Sequence, residues 1–92
     1  MEQMNNNNTQ ATVKGYSLCL DVEDKELQLH NRANILANIY EDNKDKRDPS
    51  KTSGRGMYNI MSYMDALPLE ERGNVLNQFY SVMKQRGYQI AN

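Results

Sequence analysis

Ninety-two residues with a formal net charge of -1 read as one small domain, because the chain is too short to build two independent hydrophobic cores. The near-neutral sum gives no global field for steering a polyanion or a membrane surface toward the protein. Leu, Ile, Val and Phe number only 17, so six Met and six Tyr supply much of the apolar surface, while twelve Asn and six Gln add polarity without an obvious proton-transfer group.

No apolar run approaches the roughly 18 residues that cross a bilayer. The opening MEQMNNNNTQ lacks the basic start and apolar stretch of a secretion signal, so a cytoplasmic chain is expected. A single cysteine, Cys19, forms no internal disulfide and lacks the partners of a structural zinc site. Set between Leu18 and Leu20, it reads as a small buried hydrophobe.

Residues 1–12 hold four consecutive asparagines and almost nothing to bury, so ordering them would go uncompensated and a disordered tail is expected, with a single helical domain over 13–92. From Val13 to Leu20 the alternating VKGYSLCL suits an extended arm or one short strand without a partner, lying across the helices through Tyr16, Leu18 and Leu20.

The first helix is expected over Glu23 to Asp42. Asp21 or Asp24 serves as its N-cap, and the acids Asp21, Glu23, Asp24 and Glu26 sit at the positive end of its dipole. Leu29, Ala33, Leu36 and Tyr40 share one face, widened by Ile35 and Ile39 on one flank and Ala37 on the other, a breadth that suggests more than one neighbour. Asn31, Asn34 and Asn38 form an amide row on the opposite side, read as solvated.

Asn43 to Gly56 holds Pro49, Gly54 and Gly56 and no large apolar residue, and it reads as a loop of 14 residues, a length at which connections are functional or mobile. Residues 44–56 carry a net charge of +3 and residues 21–26 one of -3, so the chain is polarised although its sum is small. Lys51, Arg55 and Gly56, just before the second helix, are candidate anion-binding residues. SKTSGRGM has the composition of a phosphate-binding loop without its order, so nucleotide hydrolysis does not follow.

The second helix is expected over Met57 to Leu67, with Met57, Ile60, Met61, Met64 and Leu67 on one side and Tyr63 at its margin. Pro68 breaks it. Pro68 then opens the third helix, with Glu70 and Glu71 in its first turn, Lys84 and Arg86 in its last and Gly87 as its stop. Leu69, Leu76, Phe79, Tyr80 and Met83 make the inner face, flanked by Val75 and Val82. The expected fold is an all-α three-helix bundle, the second and third helices forming a local hairpin.

His30 is the only histidine and has no nucleophile motif or metal-binding partner around it, so it reads as a surface or edge residue. Glu70 and Glu71 point about 100° apart on a helix and do not make a carboxylate dyad. An enzyme is not expected, nor is a cofactor or a metal. A bundle this small buries only about 60 to 65% of its unfolded surface, so its apolar stripes exceed what one copy can cover. That excess points to a protein-binding regulator, a small inhibitor or adaptor that also self-associates. Leu29, Leu36, Ile39, Tyr40, Tyr58, Met61, Tyr63 and Met64 are the candidate partner surface. The alternative is a phosphate-ligand, nucleotide or nucleic-acid binder using the basic loop, with Tyr58 the one tyrosine beside it.

Overall fold

The structure, a computed structural model, describes residues 11–48 and 51–89. It begins with a β-hairpin. β1 (Thr12–Val13) pairs antiparallel with β2 (Tyr16–Ser17), Val13 opposite Tyr16 and Thr12 opposite Ser17. The two connecting residues, Lys14 and Gly15, both have positive φ (55° and 85°), the backbone of a tight I′ turn whose twist matches that of paired strands. The arm thus pairs with itself. An all-α fold and an unpartnered strand are both corrected: Gly15 at the second turn position lets the chain reverse within two residues. Of the expected disordered tail, residues 1–10 lie outside the described residues. Its end is ordered, since Thr12 is in β1 and Ala11 O accepts from Leu18 N at 2.9 Å.

α1 (Lys25–Asp42) starts later than its acidic cluster suggests, because Asp24 is the cap: its Oδ1 accepts from the amides of Glu26 and Leu27 at 3.0 and 3.2 Å. Asn43 closes the other end, its Nδ2 donating to Ile39 O at 2.8 Å. Leu36 and Ile39 face one neighbour and Ala33 and Ala37 another, and all four are fully buried.

α2 (Gly54–Asp65) begins three residues before Met57, because Ser53 takes the N-cap and accepts from Gly56 N at 3.1 Å. The connection from α1 is zipped at its ends. Lys44 bridges Thr52, Ser53 N donates to Asn43 O, and Asp45 N donates to Lys51 O. α3 (Leu69–Gln85) follows Pro68 and ends as its composition demands. Gly87 adopts φ 98° while its own amide and that of Tyr88 return to Lys84 O and Met83 O, each at 3.0 Å.

α1 is the spine. It packs against α3 along most of its length, against α2 and against β2, whereas direct packing between α2 and α3 is slight. The expected α2–α3 hairpin is therefore a corner rather than a packed pair. Arg72 holds that corner: from α3 its Nε donates to Leu67 O at 3.1 Å and its Nη2 to Asp65 O at 2.9 Å, satisfying carbonyls that the end of α2 leaves without helical partners. The main core cluster joins Leu18, Leu36, Ile39, Tyr63, Leu67 and Val75; a second joins Ala33 and Ala37 to Val82 and Met83, the two alanines letting α3 approach closely. Among the described residues no helix is long and apolar enough to cross a membrane.

Candidate functional site

Because α2 and α3 both lean on α1 but not on each other, a groove of about 870 Å³ opens between them. Met57 and Ile60 line its α2 wall, one turn apart. Leu76, Phe79, Tyr80 and Met83 line the α3 wall, which carries more apolar residues around its circumference than α1 alone can cover. The end of α1 and the residues after α3 close one end with Tyr40, Lys44 and Tyr88. Met57 is 49% exposed and Tyr80 40%, and Met61, one turn beyond Met57, is 58% exposed. Large apolar side chains exposed as Met57 and Tyr80 are, gathered along one concavity, are where a small protein meets a partner.

Among the described residues charge enters the groove at one end, at Lys44. Lys44 Nζ lies 4.9 Å from the centroid of the Tyr88 ring, and its hydrogen bond to Tyr88 pushes the ammonium pKa above its ordinary value. No carboxylate among the described residues lines the groove. Behind the Tyr88 ring, Glu41 accepts from Tyr88 Oη at 2.9 Å and from Arg86, and Arg86 also donates to Asn34 and Asn38. Part of the amide row expected to face solvent is therefore spent on fastening the end of α3 to α1. Burial pushes the Glu41 carboxyl up, but the hydrogen bonds from Tyr88 and Arg86 outweigh it and hold the group below its ordinary range. Tyr40 meets Tyr88 edge-on with centroids 5.5 Å apart, which stiffens this end of the groove.

The residues expected from sequence to form the partner surface divide sharply. Leu36, Ile39 and Tyr63 are fully buried in the core and present no surface, a correction with one cause: periodicity marks a stripe as apolar without saying that the same molecule covers it. Leu29, Tyr40 and Met64 are half-buried, and of these Tyr40 reaches the groove. Tyr58 and Met61 are exposed, with Tyr58 under the Lys14 ammonium at 4.8 Å, on the side of α2 toward the hairpin turn. Met57, Leu76, Phe79, Tyr80, Met83, Tyr88 and Lys44 were not expected in the surface. The signal for the α3 members is the spacing 75, 76, 79, 80, 82, 83, too broad for one neighbour.

Of the candidate anion-binding residues, Gly56 is buried with its amide committed to Ser53 Oγ, Lys51 lies 3.9 Å from Asp48 and Arg55 is exposed. His30 is exposed, with Nδ1 3.4 Å from Gln78 Nε2. Glu71 has a structural partner in Arg32, which is 3% exposed. Arg32 and Gln28 were not expected inside. They belong to a cluster that holds the arm: Tyr63 Oη donates to Ser17 O at 2.7 Å, Arg32 Nε to Leu18 O at 3.0 Å and Gln28 Nε2 to Cys19 O at 2.9 Å. Burial raises the Tyr63 phenol pKa far above its ordinary range, so it stays a donor. Cys19 is buried, as expected, and carries φ 59°, a left-handed backbone that turns the chain from the arm toward α1.

Comparison with family models, with curated proteins and with solved structures finds no match to this chain.

Proposed function

We propose that this chain is a non-enzymatic protein-binding regulator, a small inhibitor or adaptor of a larger protein, and that the groove between α2 and α3 is its docking face. One observation carries the reading: two helices splayed over a third leave Met57 and Tyr80 exposed along a concave apolar surface. Methionine repacks around varied shapes, and tyrosine offers an apolar ring with a polar tip, so the surface suits protein contacts better than a fixed small ligand. Self-association through the same face belongs to this proposal.

The test is affinity capture and light scattering with the natural chain beside a Met57→Glu, Tyr80→Glu double variant. The natural chain should retain a stoichiometric partner, or gain mass with concentration, and the variant should lose both while its circular dichroism stays the same. A natural chain that is monomeric at every concentration and retains only what the variant retains would remove the proposal.

A further inference from the structure

The groove has a length, a shape and a polarity, and together these restrict what fills it. Its α3 wall runs from Leu76 to Met83, a rise of about 10 Å, which matches a partner helix of about eight residues, two turns. Its shape is the gap between two helices that share a third as support. A further helix laid between α2 and α3 completes a four-helix arrangement around the side chains already there. A flat bilayer surface does not enter such a concavity, whereas side chains spaced at three and four residues along a helix do.

Polarity sets the direction. Among the described residues the one charged residue lining the groove is Lys44, just past the end of α1, and from it runs the 44–56 segment with its net charge of +3. Within that segment Asp45 lies 3.9 Å from Arg47, and Asp48 the same distance from Lys51, so its acids face its own bases. The other end of the groove lies toward the corner where Arg72 is 3.9 Å from Asp65. The field across the groove is thus positive at the Lys44 end. Resting on the docking function proposed above, we infer that the groove takes an amphipathic helix of a partner protein, in contact over about two turns, with an apolar face toward Met57, Phe79 and Tyr80 and carboxylates at the end that meets Lys44.

The experiment uses a display library of 14-residue helix-forming peptides, with apolar residues fixed at positions three and four apart and every other position random, selected against the full chain. Binders should be enriched at least threefold in Asp and Glu at one end over the unselected library. A synthetic consensus peptide should shift the methyl resonances of Met57 and Met83. Its affinity should fall about tenfold for Lys44→Glu and less for Lys44→Gln, and a peptide with its acids changed to lysine should regain affinity for Lys44→Glu. That charge exchange cannot arise from a misfolded target. Binders without charge bias, or with equal affinity for Lys44→Glu, but lost with Met57→Glu and Tyr80→Glu, would overturn the acidic helix and leave the docking face standing. If no binder responds to the double variant, or only vesicles of phosphatidylglycerol or a second copy of the chain occupy the groove, the inference is overturned; the first of these removes the docking face as well.

Discussion

α2 has two sides that met different fates. On one, Tyr63 and Gly56 are sealed against α1, the hairpin and the chain before the helix; on the other, Met57 and Met61 stay about half exposed with α3 too far away to cover them. Both sides are built from apolar residues at helical spacing. What separates them is the support: α1 offers fully buried Leu36 and Ile39 to the sealed side, while the corner fastened by Arg72 keeps α3 from closing over the open one. A small protein can therefore hold a stable core and an adhesive surface on a single helix, provided that something rigid stops the third element from collapsing onto it.

Stability measurements on each side break or sharpen this contrast. Leu36→Ala should cost about 2–5 kcal/mol, since the site is enclosed and a cavity remains. Tyr80→Ala, on the open side, should cost within about 1 kcal/mol. Urea denaturation of both variants measures the difference, and equal losses would mean that the groove is part of the core.

Arg32→Met should cost about 2–3 kcal/mol, because Leu18 O loses its donor and Glu71 its cation while the methylene stem is kept. Thermal melting should register it as a fall of about 8–24 °C at roughly 4–8 °C per kcal/mol.

Gly56→Ala should cost about 1–3 kcal/mol. An added Cβ would come within 2.6 Å of Asn43 Cβ and still closer to the Thr52 methyl, on two of the residues whose backbones zip the connection to α1. Gly54→Ala, with open space at the same point, is the matched control.

Tyr63→Phe removes only the bond to Ser17 O and should cost about 1 kcal/mol. Hydrogen exchange should locate the loss in the arm, with faster exchange of the Leu18 amide.

The smallest effect concerns pH. Glu41 binds its proton less readily folded than unfolded, so its contribution to stability is present above the ordinary value of 4.5 and is lost as pH falls through the lower folded value. Glu41→Gln should flatten the fall in stability below pH 4.5, and an unchanged acid profile would contradict the assignment.

The helices were legible because their punctuation is local. Asp24 and Gly87 act on amides and carbonyls within five residues and work in the structure as the spacing suggests, whereas Pro68, expected as the first residue of α3, stands one position earlier as its N-cap. The hairpin was legible only in the Lys14–Gly15 pair, whose neighbours are too few to look like strands. Gln28 and Arg32 stand eight and four residues before Leu36, in phase with the core stripe, but a guanidinium is read as solvent-facing unless an acceptor is known, and Leu18 O lies 14 residues away. The groove was legible as an excess of apolar residues and not as a place. Which stripe remains uncovered depends on the angle at the α2–α3 corner, and that angle is held by side-chain contacts to the backbone that no periodicity records.

Three successive carbonyls, those of Ser17, Leu18 and Cys19, are gripped by side chains from two different helices. The arm can be seated only once those helices have come together, so it should arrive last during folding and detach first under stress. Shortening the protein to its helices would not yield a simpler version of it: a phenol and an amide would lose their acceptors in the arm, and the guanidinium would keep only Glu71.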